Sequence, residues 1–152
     1  MSLAVFLLLC PCAVIAQAVT ASVPVTGLRT FSYALKGVKM APDVETTLLA
    51  RDGAGTLTQL WFTGDTTWLS FHEAVLRVYV DGETDPSIEG ELGLLHGMGW
   101  AGNHAPWSAG SAMGKLASAG GGIWNTHRIP FGAGVRVTVT AVSQLENRTI
   151  YF

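Results

Sequence analysis

Carboxylates are the side chains in this sequence with the clearest capacity for chemistry, and several of them follow one apolar segment closely. Two carboxyl groups can supply a nucleophile and a general acid, provided that the fold holds them close together. The spacing forces no pair to face each other, and interspersed glycine and proline favour a solvated turn in which Asp81 and Asp85 fix the backbone. Glu83 with Glu89 is the pair that we would test for catalysis. The cluster comprises Asp81, Glu83, Asp85, Glu89 and Glu91.

Tryptophans with polar neighbours form a second candidate site, within a glycine-rich segment from Leu92 to Gly134 that contains no carboxylate. An indole face can stack on a sugar ring, so these residues could line a carbohydrate pocket. They could equally be lids that pack over the open end of a sandwich. Trp61 lies in a predicted strand and is expected in the core. The candidate binding residues are Trp100, Asn103, His104, Trp107, Trp124 and Asn125.

The histidines and serines predict no further chemistry. The four histidines, His72, His96, His104 and His127, show no close metal-ligand spacing, so we expect no metal site. The serines near His104 lack the strand, sharp turn and helix that expose a nucleophilic serine. We therefore expect no cofactor.

Charge and composition exclude several classes of partner. Nine Lys and Arg residues stand against eleven Asp and Glu residues, a net charge of −2, and neither sign forms a block. A basic surface for nucleic acid or an anionic membrane is therefore not expected. Hydrophobic residues make up 49% of the chain, which is enough for one folded domain.

The first residues are typical of a secretory signal peptide. Met1–Ala18 contains no Asp, Glu, Lys, Arg or His, Leu3–Ile15 is apolar but too short to span a bilayer, and Ala16-Gln17-Ala18 fits a cleavage site. We expect a secreted mature domain of residues 19–152, with no membrane segment after cleavage. A buried N-terminal strand or an uncleaved anchor is the alternative.

Export would have two consequences for the covalent structure of the mature chain. Cleavage after Ala18 would remove both cysteines, Cys10 and Cys12, and would leave a domain stabilised by its core alone. Asn147-Arg148-Thr149 has the form of an N-glycosylation acceptor, so Asn147 is a candidate glycosylation site in a eukaryotic host.

Period-two patterns indicate an all-β fold with little helix. In Val135–Val142 the apolar residues alternate with Arg136, Thr138 and Thr140, as in a half-buried strand. Turn residues recur at the spacing of a β-sandwich, and the segment from Leu92 to Gly134 reads as long ordered loops. Further strands are predicted at Thr56–Thr63 and Ala74–Val80, and less clearly at Thr20–Val25, Thr30–Leu35, Glu45–Ala50, Thr126–Phe131 and Thr149–Phe152.

Three ordered strings resemble one protein family. They are GAGTLTQLWFT at Gly53–Thr63, LRVYVDGETDPS at Leu76–Ser87, and Ile129-Pro130-Phe131-Gly132 followed by Val135-Arg136-Val137-Thr138. Their order and spacing are similar to the N-terminal part of the domain of unknown function 2961 family, also called glycoside hydrolase family 172. The resemblance covers about residues 32–152.

The resemblance implies a single jelly-roll β-sandwich that forms half of a double jelly roll. It also implies a retaining furanosidase acting on fructofuranosyl or arabinofuranosyl units. The family's catalytic glutamates lie in a later region, with a Gly-Thr-Gly-x-Glu-Asp-Tyr-like string that is absent here, so none maps onto this chain. We therefore expect a domain that binds furanose-containing carbohydrate and is not catalytic by itself.

Two alternatives from other classes remain. The chain could be a structural or assembly domain, since jelly rolls of this kind pair with a second roll and form rings or capsid-like shells. It could also be a carbohydrate-binding module without any link to hydrolysis. Without a second roll, we expect the strands at Val135–Val142 and Thr149–Phe152 to associate with a partner roll or another copy of the chain.

Overall fold

The computed structural model describes most of the chain from residue 29 onward. Tyr33–Phe152 forms one compact unit, and of the preceding unit only Gly27 and residues 29–32 are described. The proposed signal peptide at 1–18, the predicted strand Thr20–Val25 and the acceptor Asn147 lie outside the described residues. The described residues are Gly27, 29–64, 74–98, 107–109, 112–115, 122–141 and 148–152.

Short strands make up nearly all of the regular structure. A 3₁₀ turn at Leu94–His96 is the single helical element in the part of the chain that is described. No helix within that part is long and apolar enough to cross a membrane. The strands are β1 (Val38–Met40), β2 (Glu45–Asp52), β3 (Gly55–Leu57), β4 (Leu60–Gly64), β5 (Ala74–Val80), β6 (Ile88–Glu91), β7 (Trp107–Ala109), β8 (Met113–Lys115), β9 (Ile123–Asn125), β10 (Ile129–Phe131), β11 (Gly134–Ala141) and β12 (Arg148–Tyr151).

The strands pair antiparallel in three sheets. A six-stranded sheet has the order β1-β12-β4-β9-β8-β7, a four-stranded sheet has the order β2-β11-β5-β6, and β10 pairs with β3. Both larger sheets contribute to one apolar core, in which Phe62, Ile123, Val78 and Val137 are fully buried. The predicted all-β sandwich with little helix is confirmed.

The alternation predicted for β11 is confirmed on its apolar side. Val135, Val137, Val139 and Ala141 are buried, and they face the core together with the alternate residues of β5. Thr138 is fully buried as well, although it belongs to the polar side. Its hydroxyl is hydrogen-bonded to a carboxylate and its strand neighbour is Arg77, so long polar side chains cover it.

A β-bulge explains why β2 does not alternate. The register with β11 shifts between Val137 and Thr138, which pair with Leu49 and Thr47. The extra residue, Leu48, is therefore buried next to Leu49, and both side chains reach the core.

Two strand predictions were wrong. Thr56–Thr63 is two strands, β3 and β4, which pair in different sheets because the chain leaves one sheet at residues 58–59. Thr30–Leu35 contains no strand in its described residues, although the Leu35 backbone exchanges hydrogen bonds with Phe152 at 2.8 and 3.0 Å.

The prediction of loops from Leu92 to Gly134 was also wrong in part. β10 lies within the predicted strand Thr126–Phe131, but β7, β8 and β9 also lie in that segment and no strand was predicted for them. Each has three residues and glycine is frequent around them, so no run is long enough to show a period of two. Short strands of this kind are recognised only by their pairing.

The strands expected to form exposed edges are interior strands. β11 pairs with β2 and β5, and β12 pairs with β1 and β4. The edges of the two larger sheets are instead β2 and β6, and β1 and β7, as far as the described residues show. Among the described strands, these four and the β3–β10 pair have unpaired edges that could mediate association.

Candidate functional site

Asp81 fixes a turn, as the sequence predicted, but this turn is the one between β10 and β11, far from Asp81 in the sequence. One of its carboxylate oxygens accepts the backbone N–H groups of Gly132, Ala133 and Gly134, at 2.8, 2.6 and 3.2 Å. These hydrogen bonds hold the pKa of Asp81 below its ordinary value. Asp81 itself has a positive φ of 55°, which a short polar side chain tolerates.

Glu83 and Glu89 are held by different partners. Glu83 lies in an exposed loop and accepts a hydrogen bond from the Ser87 hydroxyl. Glu89 lies on β6 and forms an ion pair with Arg77, with 2.7 Å between Oε2 and Nε. No contact within the described part of the chain joins the two glutamates, so the structure does not assemble them as a pair.

A carboxylate that the sequence did not single out, Glu45, accepts hydrogen bonds from three side chains. Glu45 Oε1 accepts hydrogen bonds from Thr138 Oγ1 at 2.7 Å, from the Tyr79 hydroxyl at 2.9 Å and from Arg136 at 3.3 Å. The Thr138 hydroxyl is the main cause of a lowered pKa at Glu45, whereas burial raises the pKa of Tyr79. The guanidinium of Arg136 stacks 3.7 Å above the Tyr79 ring.

This polar network spans the outward face of the four-stranded sheet. Glu45 lies on β2 and Glu89 on β6, the two edge strands of this sheet, whose backbones are about 14 Å apart at the usual strand spacing. Glu45 is held by Thr138, Tyr79 and Arg136, and Glu89 by Arg77. We therefore interpret the network as a set of cross-strand contacts that stabilise the sheet.

Two tryptophans lie side by side on the outward face of the six-stranded sheet. Trp61 on β4 pairs directly with Trp124 on β9, and Trp124 in turn pairs with Gly114 on β8. Both indoles are half-buried, while Leu60, Phe62 and Ile123 occupy the alternate, buried positions. The expectation that Trp61 belongs to the core was wrong, because its two neighbours take the inward positions.

Gly122 allows the Trp61 indole to lie against the backbone of β9. A Cβ atom at Gly122 would be 2.5 Å from Nε1 of that indole, closer than any side chain permits. Directly opposed residues on paired strands have Cβ atoms about 5 Å apart, so Trp61 and Trp124 are neighbours on this face of the sheet. We call Trp61 and Trp124 the tryptophan pair.

Asn125 has a positioning contact next to this surface. Its Nδ2 donates to the Leu95 carbonyl at 2.7 Å, and its Oδ1 accepts the N–H of His127 at 2.7 Å. Both ends of the amide are therefore engaged with the protein. Asn125 therefore ties β9 to the 3₁₀ turn.

Of the other candidate binding residues, Trp107 alone lies in the described part of the chain. Trp107 pairs with Lys115, which pairs with Ile123, so its backbone lies in a different row across the sheet from Trp124. Trp100, Asn103 and His104 lie outside the described residues. Among the residues that are described, no group of three or more His, Cys, Asp or Glu side chains is placed to hold a metal ion.

The antiparallel sheets and their shared core define a β-sandwich domain. A family model described as the GH172 first beta-sandwich domain matches residues 36–152. Because this match covers most of the sequence, the chain belongs to glycoside hydrolase family 172, as its first β-sandwich domain. The resemblance inferred from the sequence strings is thereby confirmed. A search of curated proteins found no match.

Proposed function

We propose that this domain binds furanose-containing carbohydrate, such as fructofuranosyl or arabinofuranosyl units, on the tryptophan pair. The observation that carries the proposal is the direct pairing of Trp61 with Trp124 on the outward face of the sheet. Membership of a glycoside hydrolase family supports carbohydrate as the ligand.

The chemistry of the tryptophan pair supports this proposal. An indole offers a flat apolar face on which the C–H groups of a sugar ring can stack, and one N–H donor for a ring or hydroxyl oxygen. Positions 114 and 122, beside the indoles, are glycines and therefore add no side chain to this face of the sheet. A shallow aromatic surface of this kind suits a terminal sugar better than a deep pocket would.

We propose further that hydrolysis requires a region outside this sandwich. The described glutamates Glu45, Glu83 and Glu89 are engaged with separate partners. The family description, as a first sandwich, supports a second jelly roll as the partner, or otherwise another copy of the chain.

Secretion is part of the same proposal and has its own test. The apolar segment before Ala18 supports cleavage near that residue, and Asn147 would then be accessible to glycosylation. Intact-mass analysis of secreted protein should give a chain that begins near Val19. A retained Met1 would contradict secretion while leaving the binding proposal untouched.

Calorimetric titration with an arabinofuranosyl and a fructofuranosyl oligosaccharide tests the binding proposal. We expect Trp124→Ala to weaken binding at least tenfold and Trp124→Phe to weaken it less, because phenylalanine keeps a flat face. Tyr33→Ala, which removes an aromatic side chain that is 50% exposed, is the matched control. Equal affinity of Trp124→Ala and wild type would contradict the proposal.

A further inference from the structure

His96 is a fully buried ionisable side chain with one unpartnered ring nitrogen. Its exposed fraction is 0%, and its Nδ1 lies 2.8 Å from the Leu92 carbonyl oxygen. A carbonyl can only accept, so Nδ1 carries the proton, and the ring is neutral because a proton on the buried Nε2 would have no acceptor among the described residues. Nε2 is buried without a hydrogen-bond partner in the described part of the chain.

The described residues around His96 offer no group that could neutralise a positive charge. The Phe62 ring meets the imidazole edge-on at 5.1 Å, and Leu92 and Met98 are fully buried nearby in the chain. The 3₁₀ turn packs against β6 and β9. β9 has no ionisable side chain, nor has β4, which carries Phe62.

The charged residues of β6 belong to the other face of the sheet. Glu89 pairs with Arg77 and Glu91 with Val75, in the rows that face outward, whereas Leu92 is buried. Burial therefore lowers the pKa of His96 from 6.5 to about 4, although the hydrogen bond to Leu92 opposes this.

The 3₁₀ turn joins the two larger sheets through few contacts. On one side Leu95 lies over Gly90 of β6, where a Cβ would be 3.2 Å from Leu95 Cγ. On the other side the Leu95 carbonyl accepts the hydrogen bond from Asn125 of β9. Leu94 is 57% exposed, so His96 and Leu95 supply the anchoring. An opening confined to this short turn would expose His96 and break the Asn125–Leu95 hydrogen bond, and it need not unfold either sheet.

We propose that the 3₁₀ turn Leu94–His96 is an acid-opened latch between the two sheets, with His96 as its proton sensor. Above pH 6.5 the imidazole is neutral in both the closed and the open turn, and the latch is closed. As the pH falls, the open turn takes up a proton that the closed turn refuses, so opening is favoured progressively. Opening would release Gly97 and Met98, and the segment that contains Trp100 and His104 follows them in the sequence.

Hydrogen exchange followed by NMR on the full chain tests the latch. The reporters are the N–H groups of Gly97 and Met98, which donate to Leu94 and Gly93 at 2.9 and 2.8 Å. After correction for the intrinsic rate, we expect their protection to fall about tenfold between pH 6 and pH 5. The β11 amides should keep their protection over the same range.

Two variants complete the experiment. His96→Gln cannot titrate but can still donate to the Leu92 carbonyl, so protection at Gly97 should become independent of pH. His127→Gln alters an exposed histidine and should behave as wild type. Should the His96 variant fail to fold, the wild-type comparison of Gly97 with β11 decides. Equal loss of protection at both places, or no loss at Gly97, would overturn the latch.

Discussion

At the scale of single residues, the carboxylates of Asp81 and Glu45 stabilise the fold through hydrogen bonds. Asp81 accepts three backbone N–H groups from the turn between β10 and β11, and Glu45 accepts three side-chain donors. Both roles depend on long-range contacts, between residues that are far apart in the sequence. The sequence showed which residues are acidic but not which donors they would meet.

Replacing Asp81 by alanine should lower the melting temperature and should do so in a pH-dependent way. The pKa of Asp81 lies below its ordinary value of 3.8, so its stabilisation is complete above that pH. It is lost as the pH falls through the lower, folded-state pKa. Scanning calorimetry should therefore show a difference between variant and wild type at pH 7 that shrinks towards pH 2. A difference independent of pH would contradict this account.

Thr138→Val should destabilise the domain by about 1–2 kcal/mol, because a buried hydroxyl that donates to a carboxylate is lost at constant side-chain volume. Urea denaturation should show a lower midpoint with an unchanged slope. Thr47→Val, at the paired but exposed position on β2, is the matched control and should change stability little. If both substitutions lowered stability equally, the hydrogen bond from the buried Thr138 hydroxyl to Glu45 would not be the cause.

At the scale of elements, the long strands are predictable and the short ones are not. Ala74–Val80 was predicted with its observed bounds, and β11 within one residue, because both alternate over many positions. β7, β8 and β9 are too short to alternate. Trp61 was misassigned because a tryptophan fits either face, and only pairing with Trp124 reveals the outward one.

Gly122→Ala tests the packing of β9 under Trp61. The new methyl group would overlap the indole, so Trp61 must move, at a cost of about 1–3 kcal/mol. We expect a changed near-ultraviolet circular dichroism signal and weaker sugar binding. Gly132→Ala is the control, since a Cβ there meets its nearest neighbour at an ordinary 3.6 Å. An unchanged spectrum for Gly122→Ala would show that Trp61 does not lie on the β9 backbone.

At the scale of the whole molecule, the domain presents two different faces. The four-stranded sheet faces outward with paired charges, and the six-stranded sheet faces outward with the tryptophan pair. Family membership places this sandwich first among the domains of a glycoside hydrolase. These observations are the basis of the proposal that the chain by itself binds carbohydrate without hydrolysing it.

The purified chain should therefore release no fructose or arabinose from furanosides above background. The physical reason is that Glu83 and Glu89 are held by Ser87 and Arg77 rather than by each other. Chromatographic detection of released sugar is the measurement. Turnover that disappears in Glu83→Gln or Glu89→Gln would restore these residues as a catalytic pair.

Carbohydrate binding by the tryptophan pair is tested most directly by the indole N–H signals in an NMR titration of the full chain. The chain has five tryptophans, so their signals can be assigned by single substitution to phenylalanine. With an arabinofuranosyl or fructofuranosyl oligosaccharide, we expect the Trp61 and Trp124 signals to shift together, with one common dissociation constant. Saturable shifts confined to other tryptophans, or no shift with either sugar, would contradict the account.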